Sequence, residues 1–289
     1  LGIRVNMVQI DKELGYVMIP NLKMQMPWQG EPGGVTFHNV TTNSYGFRTG
    51  KKTISPSNCL EGNNVWNGGL NNNLFLVYDK NAQNNLQDCL DKKDTVILGV
   101  GDSFTFGSGV SDEETFLSLL EEKLNGQEID AEVINAGVGG YSTTQEIIMA
   151  KRYIPIFEPD IVILNFYIGN DLGDNNNFKI NPQWEIIDGY LTKYDPNRSP
   201  IRSKILGYWK RSQIDLHIQQ FIKENDLSLF FIKYLPNSEI KYRIKQFVIN
   251  DQDSIKLWKT TAEEIKLFNK YLQQQNITLI INVIPKDIQ

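Results

Sequence analysis

Histidine and cysteine are scarce in this 289-residue chain, two of each. His38, His217, Cys59 and Cys89 are scattered, whereas a structural zinc centre needs about four such ligands brought together. No metal centre is expected, and no cofactor. Cys59 and Cys89 lie in an Asn-rich stretch and could pair in an oxidising compartment. Basic charge is not in excess either: 29 Lys and Arg stand against 34 Asp and Glu, a net charge of −5. That leaves no electrostatic footprint for nucleic acid as a partner. No apolar run approaches the roughly 20 residues that span a bilayer, so no membrane segment is expected within these residues, and no signal-peptide pattern opens the chain. Sequence repeats are absent. The glycine-rich turns do not fit nucleotides. Gly99-Val-Gly101-Asp-Ser-Phe104 and Gly137-Val-Gly139-Gly-Tyr-Ser142 both lack the last glycine of a dinucleotide fingerprint, and neither offers the Gly-Lys-Ser/Thr of a phosphate loop. The Asp and Asn residues at 171–177 do not follow the Gly-containing pattern of a calcium loop.

What the chain does have is enough apolar content, 40% of its residues, to bury a sizeable core. Thr95-Val-Ile-Leu-Gly-Val100 reads as a strand buried on both faces. Gly101-Asp102-Ser103 follows, and Asp112-Glu-Glu-Thr-Phe-Leu-Ser-Leu-Leu120 then reads as a helix with acidic residues in its first turn. Ala131-Glu-Val-Ile-Asn-Ala-Gly-Val-Gly-Gly-Tyr-Ser-Thr143 reads as a second strand and glycine-rich turn, with a helix from about Thr144. Asp160-Ile-Val-Ile-Leu-Asn-Phe-Tyr-Ile-Gly-Asn-Asp171 reads as a third strand. Three strands thus end in small or amide-bearing residues at one sheet edge, where open parallel sheets bind ligands. A serine fixed between a strand end and a helix start suits nucleophilic catalysis. Taken alone, Gly-Asp-Ser fits a plain βα turn with a polar cap equally well.

Together these three blocks resemble the SGNH/GDSL hydrolase superfamily, in order and in spacing. Ser103 matches the nucleophile, Gly140 the second-block glycine, and Asn170, within Ile168-Gly-Asn-Asp171, the third-block asparagine. Upstream, Asp11-Lys-Glu-Leu-Gly-Tyr16 and Asn43-Ser-Tyr-Gly-Phe-Arg48 are similar to segments that precede the core in bacterial envelope members. The resemblance implies an oxyanion hole made by the backbone N–H groups of Ser103 and Gly140 and the Asn170 side-chain amide. Asp102 and Asp171 are read as braces for their loops through backbone hydrogen bonds. The family's Asp-x-x-His block has no match, so the catalytic His and Asp are not assigned to any residue of this chain. His217, in an amphipathic segment, and His38 both read as surface or packing residues. The chain opens at Leu1 and stops at Gln289, and both ends read as cut, with the base expected downstream.

The implied fold is a three-layer α/β/α, doubly wound, mainly parallel sheet of the flavodoxin-like type. Residues 1–93 read as a loop- and β-rich N-terminal extension with a candidate strand at Leu74-Phe-Leu-Val-Tyr78. Residues 94–289 read as the hydrolase-like domain, with an insertion at about 172–253. Within that insertion Asp188-Gly189 suits a hairpin turn, while 201–223 and 227–234 read as helical, the aromatic run Leu229-Phe-Phe-Ile-Lys-Tyr234 fitting a strand as well. Residues 254–275 are predicted to form a helix leading into a strand at 277–284. Tyr167, Phe178, Trp184, Tyr190, Tyr194, Tyr208 and Trp209 are candidates for a sugar-facing platform, and packing is their plainer role. The expected function is a serine-dependent carboxyl-ester hydrolase acting on small acyl esters, acetyl esters of glycans among them, through an acyl-serine intermediate. An O-acyltransferase and a non-catalytic glycan- or ester-binding module are the alternatives. The resemblance points to a periplasmic or secreted location, or to an anchor preceding Leu1.

Overall fold

The computed structural model describes residues 3–4, 7–29, 35–49, 86–169, 171, 175, 184–187, 190–193 and 252–285. It begins with short antiparallel strands. After β1 (Ile3–Arg4), β2 (Val8–Asp11) pairs with β3 (Gly15–Met18), and β4 (Lys23–Gln29) with β5 (Val35–Thr41). The β2–β3 turn follows from its residues. Asp11 Oδ1 accepts the N–H groups of Glu13 and Leu14, and Gly15 takes the left-handed φ of 87° that closes the turn.

The core follows as β6 (Thr95–Gly101), α1 (Ser103–Phe106), α2 (Phe116–Asn125), β7 (Ala131–Asn135), α3 (Thr143–Phe157) and β8 (Ile161–Tyr167). Strands β9 (Trp184–Ile187) and β10 (Tyr190–Lys193) share a sheet with β1, and α4 (Gln252–Gln273) leads into β11 (Thr278–Ile284). The central sheet has the order β11-β8-β6-β7, with all neighbours parallel. A mainly parallel sheet with helices agrees with the sequence reading.

Alternation along β6 shows why both faces are covered. Val96, Leu98 and Val100 cluster with Val162 and Leu164, with Ile154 and Phe157 of α3, and with Phe268 and Leu272 of α4. Ile97 and Ile163 cluster instead with Leu117 of α2. At Gly99 a Cβ would collide with Leu117, so α2 lies directly on the strand backbone there.

One expectation is corrected. The helix read from Asp112 is two elements: a 3-10 turn over Asp112–Glu114, then α2 starting at Phe116. Thr115 breaks them, with φ −65° and ψ 143°, and its side chain caps α2 by accepting the Ser118 N–H. A further one-turn helix, α1, stands between β6 and this pair.

The chain divides into two compact units, Leu1–Thr192 with Leu257–Gln289, and Lys193–Lys256. The candidate strand at 74–78 and the helices expected at 201–223 and 227–234 lie outside the described residues. Asp188 and Gly189 also lie outside them, between β9 and β10.

Candidate active site

The sheet order reverses at β6: the chain passes to β7 on one side, then crosses to β8 on the other. In open parallel sheets such a reversal opens a crevice beyond the carboxyl ends of the two strands, here β6 and β8. Gly101 ends β6, and a Cβ there would collide with Thr105, so only glycine lets α1 fold back against the strand end. Asp102, 1% exposed, then caps α1 by accepting the Phe104 N–H at 2.9 Å. Ser103 is the first helical residue and half-buried. At the other end Gly107 takes φ 81° and its N–H donates to the carbonyls of Ser103 and Phe104.

The turn after β7 is packed onto α1 from the side. Asn135 spans the two: Nδ2 donates to the Thr105 carbonyl at 2.9 Å, and Oδ1 accepts the Gly137 N–H at 3.1 Å. A Cβ at Gly137 would lie 2.6 Å from the Thr105 carbonyl carbon, so the two backbones touch. At Gly139 a Cβ would lie 3.8 Å from Ser103 Cβ. Gly140 is exposed with φ 81°, a conformation that favours glycine. Among the described residues, neither the Ser103 nor the Gly140 N–H donates to any acceptor.

The third loop leaves β8 at Tyr167. Asp171 is fully buried and its Oδ2 accepts the Tyr167 N–H at 2.7 Å. Asn170 lies outside the described residues. The Tyr167 ring folds over the Gly169 backbone and meets the Phe104 ring at 4.3 Å between centroids. Phe104, the residue after Ser103, is 47% exposed, so this aromatic pair forms a partly open wall at the start of α1. Of the other platform candidates, Trp184 and Tyr190 fall in β9 and β10, and Phe178, Tyr194, Tyr208 and Trp209 lie outside the described residues.

Sequence reasoning did not assign the residues that hold these loops from behind. Arg48, buried, donates from Nε to Asp112 Oδ1 at 2.9 Å, from Nη1 to the Phe106 and Gly107 carbonyls, and from Nη2 to those of Asn39 and Val110. Its guanidinium also lies over the Phe106 ring. Burial pulls Arg48 below its ordinary pKa, while the Asp112 carboxylate pulls the other way. Asp112 in turn accepts the N–H and hydroxyl of Thr41. Tyr16 on β3 donates its hydroxyl to the Gly139 carbonyl at 2.9 Å, and the Tyr141 hydroxyl donates to the Tyr16 carbonyl. Burial raises the Tyr141 pKa well above its usual value, so the group stays a protonated donor. Apart from the bond to Asn39, these contacts run between segments more than fifty residues apart, which no local pattern reveals. His38 lies on β5, within 2.8 Å of Thr36 Oγ1 on the same strand, and His217 lies outside the described residues. Cys89 is disulfide-bonded, and Cys59 lies outside the described residues.

No family model matches the chain, and no curated protein does. Among solved structures, AlinE4, an SGNH-hydrolase family esterase, is 33% identical, over 24% of this chain and 38% of its own, with a TM-score of 0.23. The psychrotrophic esterase EstA from Pseudoalteromonas sp., inhibited by monoethylphosphonate, is 26% identical over the same shares, with a TM-score of 0.23. A G-D-S-L family lipolytic protein from Desulfitobacterium hafniense DCB-2 is 15% identical over 65% of this chain and 77% of that one, with a TM-score of 0.25. The chain spans 38% of the length of the two esterases. It is similar, over about a quarter of its own length, to SGNH-hydrolase esterases.

Proposed function

We propose that this chain carries the nucleophile and oxyanion hole of a serine-dependent carboxyl-ester hydrolase of the SGNH/GDSL type, on a doubly wound, flavodoxin-like sheet. Ser103 Oγ attacks the ester carbonyl and gives its proton to a general base, the role that the resembled family assigns to its Asp-x-x-His block. The carbonyl oxygen gains the negative charge and is met by the N–H groups of Ser103 and Gly140 and the side-chain amide of Asn170. Collapse expels the alcohol, which takes the proton back and leaves an acyl-Ser103, and water then releases the acid. Each donor of this kind is worth about 10²–10³ in turnover.

The observation that carries the reading is the meeting of two chain turns. Ser103 opens α1 beyond β6, a Cβ on Gly139 would come within 3.8 Å of the Ser103 Cβ, and the N–H groups of Ser103 and Gly140 have no acceptor among the described residues. The aromatic wall of Phe104 and Tyr167 suits a small acyl group or a sugar ring packed beside the serine. Acetyl esters of glycans are the substrates this reading favours. The disulfide at Cys89 suits an oxidising, extracytoplasmic compartment.

The test is hydrolysis of p-nitrophenyl acetate by the full-length protein. Nitrophenolate release is expected from the wild type and none above background from Ser103→Ala. Undiminished turnover in that variant removes Ser103 from the reaction.

A further inference from the structure

We infer that Tyr16 is a positioning residue of this site: its hydroxyl fixes the orientation of the Gly139–Gly140 peptide, whose N–H is the second oxyanion donor. The inference rests on the ester-hydrolase reading above and gives the Asp11-Lys-Glu-Leu-Gly-Tyr16 segment a task. Two consecutive glycines make a poor fixed donor. Each populates both signs of φ with little penalty, so the peptide between them can rotate as a unit. In the rotated form a carbonyl oxygen, not an N–H, would face the developing negative charge, and attraction would become repulsion.

Tyr16 opposes that rotation. It is 2% exposed, and its hydroxyl donates to the Gly139 carbonyl at 2.9 Å. The peptide is trans, so its N–H points opposite to its C=O. With the carbonyl turned inward to a buried tyrosine, the Gly140 N–H is turned to the open side, where Gly140 is exposed and Ser103 is half-buried. Tyr16 is held in its turn. Its carbonyl accepts the Tyr141 hydroxyl, its ring meets that of Tyr141 edge-on at 5.4 Å, and Asp11 at the far side of its hairpin is clamped by Arg152 of α3. A hairpin about 120 residues upstream thereby sets one donor of the oxyanion hole.

The experiment compares the wild type, Ser103→Ala, Tyr16→Phe and Leu14→Ala in the full-length protein, reading kcat, KM and thermal midpoint with p-nitrophenyl acetate. Tyr16→Phe keeps the ring and loses only the hydroxyl. Because the donor acts on charge present only in the transition state, kcat is expected to fall about tenfold with KM within about twofold of the wild type. Leu14→Ala removes a fully buried side chain from the same hairpin and serves as the reference for lost stability. It is expected to lower the midpoint at least as far while leaving kcat near the wild-type value at a temperature where it is folded. Equal kcat in Tyr16→Phe and wild type, with Ser103→Ala inactive, overturns the role of Tyr16 and leaves the esterase reading standing. So does an equal loss of kcat in Leu14→Ala and Tyr16→Phe. Wild-type turnover that does not depend on Ser103 overturns the esterase reading, and the role of Tyr16 with it.

Discussion

Arg48 holds a positive charge where its side chain has no exposure, against an Asp112 side chain that is 10% exposed. Such a pair gains little over a well-packed apolar substitute, but removing one partner strands the other, at a cost of about 3–5 kcal/mol. Arg48→Met removes every donor to the Phe106, Gly107, Asn39 and Val110 carbonyls along with the charge. It is therefore expected to lower unfolding free energy by about that amount, read from the midpoint of a urea titration. Arg48→Lys should recover only part of the loss, since one ammonium cannot reproduce a fork that serves Asp112 and several carbonyls at once. An unchanged midpoint in Arg48→Met would show that these contacts contribute nothing net. The sequence does bring Arg48 to notice, as the end of the Asn43–Arg48 segment that resembles envelope hydrolases. What it does there is illegible locally, because Asp112 lies 64 residues away and the acceptors are backbone carbonyls, which any residue type supplies.

At the scale of elements, α1 is the weak member. A single turn fixes several residues for very few internal hydrogen bonds and does not persist alone. Its neighbours hold it: Asp102 caps its start, Gly107 closes its end, and the turn after β7 presses on its backbone at Thr105 and Phe106. Gly137→Ala pushes a methyl group into those backbone atoms, which cannot swing away as a flexible side chain could. The expected result is a loss of about 1–3 kcal/mol together with a fall in Ser103-dependent turnover, since the helix that must move carries the serine. Gly126→Ala makes the comparison, because a Cβ there would sit 3.2 Å from the Glu122 carbonyl oxygen, at the far end of α2, and is expected to leave turnover alone. This scale also shows which elements sequence patterns reveal. Strands β6, β7 and β8 announce themselves as apolar runs ended by glycine or amide residues, and α4 by its 3.6-residue period. A one-turn helix has no period to detect, so α1 goes unseen. The 3-10 turn merges with α2 in the sequence because Asp112, Glu113 and Glu114 look like an ordinary acidic first turn, although Ser111 and Glu114 form their own capping box and Thr115 caps again.

For the molecule as a whole, the joint between the N-terminal hairpins and the sheet domain is what the sequence conceals and the structure supplies. The principal charged clamp of the β2–β3 hairpin is bidentate, from Arg152 Nη1 and Nη2 to Asp11 Oδ2 and Oδ1 at 2.8 and 3.0 Å, with Glu13 accepting a further bond. Burial pushes the Asp11 pKa up, yet the Arg152 hydrogen bonds and charge, with the Leu14 and Glu13 N–H groups, outweigh it and leave the carboxyl below its ordinary 3.8. A carboxylate whose pKa is lower folded than unfolded adds stability above the unfolded value and loses it as pH falls through the folded one. The stability difference between the wild type and Asp11→Asn is therefore expected to be flat from neutral pH down to about pH 5. It should then shrink steadily below pH 4 as the wild-type carboxyl takes up its proton. Hydrogen bonds between charged groups contribute about 1.5–3 kcal/mol, which sets the size of the plateau. Urea midpoints of both proteins across pH 2.5–7 measure it. A stability difference that stays constant to pH 2.5 would show that the clamp is not what ties the hairpin to α3.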